Sequence, residues 1–167
     1  MGLSEVAKSA IAERFPIMPS SESRGQVSYV VPSGSLLDVL TSFKQEYGFD
    51  FLTDITCVDY LNYRDATDRF GLVYLLANTE TNDRVTLRVM LNEPELTVAS
   101  AVPLWEGANW MEREVYDMFG IKFDGHPDLR RILMPDEFTA HPLRKDYPLQ
   151  GRGERHNFPV LARGEEV

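Results

Sequence analysis

Cysteine is nearly missing from this chain. Cys57 stands alone among 167 residues, which excludes an internal disulfide framework and any iron–sulfur cluster held by this chain's own thiolates, since such a cluster needs about four. Long apolar runs are missing too. The longest, Leu72-Val73-Tyr74-Leu75-Leu76-Ala77, falls far short of the ~20 residues that span a bilayer. Met1 to Pro16 carry Glu5, Lys8, Glu13 and Arg14 around no apolar centre, so the start of the chain does not read as a secretory signal. Glycine-rich nucleotide loops are absent, because Gly151-x-Gly153 precedes no helical pattern. No serine sits in a nucleophile elbow.

Basic charge is also scarce. Seventeen Lys and Arg face twenty-six Asp and Glu, a formal charge of −9. Residues 1–119 hold 18 acids and 9 bases, whereas residues 120–167 hold 8 of each. The excess negative charge therefore belongs to the first part. An acidic body argues against nucleic acid and against adsorption on anionic lipid, both of which need a basic surface.

What is present is enough apolar material (43% of residues) for a real core in a chain of this size. Val6, Ala7, Ala10 and Ile11 predict a helix over 4–15, capped by Ser4. Val27, Tyr29 and Val31 alternate as in a strand that Pro32 stops. Leu36, Val39, Leu40 and Phe43 form the stripe of a helix capped by Ser35 and closed near Gly48. Strands follow over 50–60, 70–77 and 84–91, the last two joined by a hairpin loop at 79–83. A further helix over 108–119 is closed by Gly120, with Met111, Val115 and Met118 as its apolar stripe. The pattern predicts an α+β fold, a small, mainly antiparallel sheet with helices packed on one face.

Beyond Gly120 the periodicity fails. Five of the ten prolines fall in 120–167, among charges and short apolar groups. Such a segment cannot build a core alone, yet it is too apolar for a linker. The expected division is a body over 1–119 and a long extended arm over 120–167 that lies on the body or on a partner chain.

Three groups of residues could carry chemistry. Glu112, Glu114 and Asp117 crowd one helix, and Glu114 with Asp117 could form an acid/base pair. The structural alternative is preferred, with Arg113 pairing Asp117 at i+4 and downstream arginines held in bidentate bonds. His126, His141 and His156 are evenly spaced but lack the short spacing of metal ligands, and fit hydrogen bonding to loop carbonyls. Cys57 sits among Ile55, Thr56 and Val58 and reads as buried packing. No catalytic, cofactor-binding or metal site is expected. Arg130-Arg131 and Arg144-Lys145 could hold an anion, but the mixed charges of Leu143 to Pro148 suit an interface rim better.

The run from Ala108 through Trp110, Glu112, Arg113, Glu114, Asp117 and Gly120 to Ile121 resembles the signature of the 30 kDa subunit family of respiratory complex I, which includes the C subunits of the bacterial NADH–quinone oxidoreductases. Gly125-His126-Pro127-Asp128-Leu129-Arg130-Arg131-Ile132-Leu133 and His141-Pro142-Leu143-Arg144-Lys145-Asp146-Tyr147-Pro148-Leu149 continue in that family's register. The resemblance implies a scaffold subunit of the peripheral arm, without catalytic residues. It implies FMN, iron–sulfur clusters and quinone in other subunits, and partners that are chiefly of the 49 kDa type and the quinone-site cluster type. It further implies a separate chain, not fused to its neighbour, at the cytoplasmic face of the inner membrane. The signature residues then read as fold-locking and interface residues. An equivalent subunit of a membrane-bound hydrogenase, or of a plastoquinone- or deazaflavin-dependent relative, shares the glutamate–arginine–glutamate helix.

Overall fold

The computed structural model describes residues 13–15, 17–23 and 26–154. The helix expected over 4–15 lies almost wholly outside them, as do His156 and the end of the arm. Within them the order is β1 (Met18–Ser23), β2 (Gln26–Val30), a 3₁₀ turn (Ser33–Ser35), α1 (Leu36–Gln45), β3 (Phe51–Asp59), β4 (Phe70–Ala77), β5 (Arg84–Leu91), β6 (Thr97–Ala99), α2 (Ala108–Phe119) and β7 (Lys122–Asp124).

Five strands form one sheet in the order β1-β2-β5-β4-β3. The contiguous β3-β4-β5 meander is antiparallel, as the hairpin signals predict. β2 pairs with β5 in parallel, and β1 pairs antiparallel with β2. The sheet is thus mixed, and β1 carries no alternating pattern in Met18-Pro19-Ser20-Ser21-Glu22-Ser23 that would have revealed it.

Register explains the core. Side chains alternate across a strand, so directly paired residues share a face. Tyr29, Leu87, Tyr74 and Ile55 lie in one row across four strands, and Val27, Val85, Leu76 and Leu52 in another. Every one of these is buried, and they join one hydrophobic cluster with Leu36, Val39, Leu40 and Phe43 of α1 and with Val115, Met118 and Phe119 of α2. Both helices therefore cover the same face. A third row ends on a charge: Leu91 pairs with Phe70, and Phe70 with Asp59. By parity Asp59 must face inward with Ile55 and Cys57, and it is 2% exposed. Cys57 is buried, and burial pushes its thiol up to about 12.

Ser35 precedes α1 as expected, but its side chain makes no capping bond, because a 3₁₀ turn feeds the helix. Past α2 the chain does not become irregular at once. β7 pairs in parallel with β6, and both are three residues long, too short to show a period. Among the described residues no helix is long and apolar enough to cross a membrane.

The row Tyr29–Leu87–Tyr74–Ile55 makes Leu87 the centre of the core. Leu87→Ala should cost about 3 kcal/mol, seen as a lower urea midpoint with an unchanged slope.

Candidate functional site

The signature residues meet where the arm crosses α2. The helix places Ala108, Glu112, Val115 and Phe119 on one inward stripe by 3.6-residue spacing, and all four are buried. Glu112 is thus a carboxyl on the apolar stripe. It accepts hydrogen bonds from the Ser100 hydroxyl at 2.7 Å and the Ala101 N–H at 2.6 Å, which ties α2 to the end of β6. Burial raises its carboxyl to about 7, against the pull of those two bonds. Tyr74 OH, also buried, is pushed up by burial and by the charge on Glu112. The stripe of Met111, Val115 and Met118 expected from sequence does pack on the core, but the buried face is wider and also takes in Ala108, Glu112 and Phe119.

His126 Nε2 lies 4.0 Å from Glu112, yet this is not an ion pair. The Asp128 N–H donates to His126 Nδ1 at 3.0 Å, so that nitrogen carries no proton. Nε2 is then the donor, and its partner is the Asn109 carbonyl at 3.2 Å.

Asp117 lies around the helix from Glu112 and collects the arm. Its Oδ2 accepts the N–H groups of Ile132, Leu133 and Met134 at 3.0, 2.8 and 2.8 Å, and its Oδ1 meets Arg131 at 2.5 Å. Burial opposes ionisation here, but the three amides and the guanidinium outweigh it and hold the carboxyl below the usual range. The predicted Arg113–Asp117 pair does not form. Arg113 reaches the other way, and its Nε and one Nη donate to the Arg130 and Arg131 carbonyls at 3.1 Å each. Arg131 also bonds the Ala140 carbonyl at 3.0 Å. Arg130 is exposed and pairs with Asp128.

Gly120 closes the helix with φ +79, and a Cβ there would lie 2.6 Å from His141 Nε2 and 2.9 Å from Arg144. Only glycine fits both the left-handed turn and the crowding. His141 donates from Nδ1 to the Asp117 carbonyl at 3.0 Å, and burial lowers its pKa. Arg144 donates from Nε to the Phe119 carbonyl at 2.6 Å and pairs with Glu93 at 2.8 Å.

A second clamp holds the arm at Asp59. Its carboxylate accepts the Lys145 N–H at 2.8 Å and the Leu61 N–H at 2.9 Å. Arg69 approaches Asp146 at 2.7 Å, Glu93 at 2.6 Å and Asp59 at 3.6 Å. The Lys145 side chain stays exposed, while Tyr147 packs edge-on against Phe138. Pro127 is exposed and Pro142 half-buried. Asp59, Arg69, Glu93 and Ser100 were not singled out from sequence. The parity of Ile55, Cys57 and Asp59 was the available signal for the first.

Chemically this junction is a lock. Asp117 is saturated by donors and held ionised, and Glu114 is exposed, so the two do not form an acid/base pair. A cleft of about 490 Å³ lies elsewhere, on the sheet's other face between Val30, Tyr60, Tyr63, Arg88 and Met90.

The family model of the respiratory-chain NADH dehydrogenase 30 kDa subunit matches residues 29–153, which include both clamps. The chain belongs to that family. The C subunit of the NADH-quinone oxidoreductase of Trichlorobacter lovleyi is 47% identical over 82% of this chain and 83% of its own length. Its counterpart in Citrifermentans bemidjiense is 45% identical over 84% and 87%. Among solved structures, a trypsin-resistant fragment (1–134) of Nqo5 superposes with a TM-score of 0.65 at 37% identity, over 74% of this chain and 96% of the fragment. A chain of an archaeal membrane-bound sulfane sulfur reductase shares the fold over 98% of this chain, with a TM-score of 0.75 at 22% identity.

Two outcomes follow from the junction. Asp117→Ala removes the acceptor of three amides and should cost about 3–5 kcal/mol; limited trypsin digestion should then cut at Arg130-Arg131 faster than in the wild type. Glu112 binds its proton more tightly folded than unfolded, so its contribution is full below pH 4.5 and is lost as pH rises toward 7. Wild-type stability should fall by about 3 kcal/mol more than that of Glu112→Gln across this window, measured by urea titration at each pH.

Proposed function

We propose that this chain is a non-catalytic structural subunit of the peripheral arm of an NADH–quinone oxidoreductase, and that it holds the neighbouring subunit that forms the quinone site. Membership in the 30 kDa family makes it a peripheral-arm subunit, and relatives named for NADH and quinone at 45–47% identity favour that enzyme over hydrogenase-type assemblies. NADH oxidation, FMN, the clusters and quinone then belong to other subunits. The chain sits on the cytoplasmic side of the membrane without spanning it, beside partners of the 49 kDa and cluster-bearing types.

One observation carries the scaffold role. The arm's backbone is hooked to the body by buried acids, and Phe138, Leu129 and Met134 pack inward, while three of its leucines turn away. Leu133 is 61% exposed although its own N–H is bonded to Asp117, and Leu143 is 51% exposed although its N–H is bonded to the Met118 carbonyl. Leu149 is fully exposed. Apolar side chains held outward on a fixed backbone are what a permanent, well-packed interface requires. Electron transfer and quinone access both need neighbouring subunits held rigidly, and this chain supplies such a surface.

Leu143→Asp tests the reading without touching either clamp. The variant should fold as the wild type does, yet purify through its tag without the flavin- and cluster-bearing subunits that accompany the wild type by mass spectrometry. Normal incorporation of Leu143→Asp together with Leu133→Asp would remove the scaffold reading.

A further inference from the structure

Four guanidinium groups are packed into the junction of α2, the arm and the body. Three have carboxylates of this chain beside them: Arg131 has Asp117, Arg144 has Glu93, and Arg69 has Asp146 and Glu93. The fourth, Arg113, is 8% exposed and has none among the described residues. Its Nε and one Nη are used by two carbonyls, and the other Nη makes no bond within them. Two carbonyls satisfy hydrogen bonds but do not neutralise the charge, and the remaining Nη is not among the buried unpaired atoms, so it is open to a counter-charge from outside.

The surroundings indicate where that counter-charge enters. The guanidinium lies 5.1 Å from the ring centroid of Trp110, one helical turn earlier. Trp110 is 61% exposed, an unusual position for so large an apolar ring, and Glu114 beside it is exposed and unpaired with Arg113. Leu133, hooked onto Asp117 one turn later, continues the ridge with its side chain outward. Trp and Arg side by side form the composition that dominates binding energy at protein interfaces. We infer that Trp110, Arg113 and Leu133 form the docking point for one carboxylate-bearing segment of the adjoining subunit, its Asp or Glu taking the open Nη of Arg113 and its flanking apolar residues covering Trp110 and Leu133. Charge complementarity selects this occupant: a basic segment would meet an unpaired guanidinium, and a purely apolar one would seal it from water without a partner.

The inference rests on the scaffold reading and has its own test. The complex is purified from its membranes with Trp110 replaced by benzoylphenylalanine, and illuminated. The adduct is expected on a neighbouring subunit, in a segment with an Asp or Glu a few residues from the linked atom. Neutralising that acid to Asn or Gln should ease salt-induced release of this chain by about tenfold or more. Arg113→Met should do the same, and the two changes together should be no worse than either alone. If Arg113→Met fails to fold, the partner's neutralised variant and the adduct still decide. An adduct in a segment free of acids, absence of any adduct in a complex that holds the chain, or full additivity of the two substitutions overturns the pairing. If that happens while Leu143→Asp still ejects the chain, the scaffold reading stands and only this docking point falls.

Discussion

The arrangement depends on one carboxylate. Asp117 gathers three consecutive amides and a guanidinium from a stretch that forms no helix or sheet of its own. Consecutive N–H groups pointing at one oxygen require a tight local path, and a buried anion makes that path the favourable one. The chain from Arg131 to Met134 is thereby tied to the helix through four hydrogen bonds to one carboxylate. Without the carboxylate, those amides would face a helix surface with nothing to accept them.

The same helix carries a second carboxyl with the opposite character. Glu112 is bonded by one hydroxyl and one amide, and burial wins over them; Asp117 has three amides and an arginine, and they win over burial. Deeper burial with two donors at Glu112, and weaker desolvation with four donors at Asp117, set the opposite signs. Glu112 joins α2 to the end of β6, on the body side, and Asp117 joins it to the arm. Gly120 then turns the chain where His141 and Arg144 must close over it. One twelve-residue helix therefore has a face for the body, a face for the arm, and a terminus that admits no side chain.

Much of this is legible in the order of the residues. β4, β5 and α2 fall on the residues their apolar patterns indicate, because a strand buried on both faces reads as a continuous apolar run, a strand with one buried face alternates, and an amphipathic helix repeats every three to four residues. β6 and β7 have three residues each and print none. The parallel β2–β5 pair joins strands separated by a helix and two strands, and no local pattern reports such a pairing. The Arg113–Asp117 expectation failed for a definite reason. Helical spacing makes i+4 partners available, but Arg131 and three amides offered Asp117 a fuller shell, and the carbonyls of Arg130 and Arg131 claimed Arg113. Sequence spacing counts the neighbours within an element and is blind to those brought by another.

The polar hooks also explain why the arm can serve an interface. A free apolar strap would lose its conformational entropy at the moment of binding, which lowers affinity for a given area. Here the backbone between Arg130 and Lys145 is already held by Asp117, Asp59 and Arg131 before any partner arrives. Leu133 and Leu143 are therefore presented in place, and association needs only to order side chains. The clamps and Phe138, Leu129 and Met134 face inward, and Leu133, Leu143 and Leu149 are left outward. The acidic body fixes the path, and the side chains left over become the docking surface.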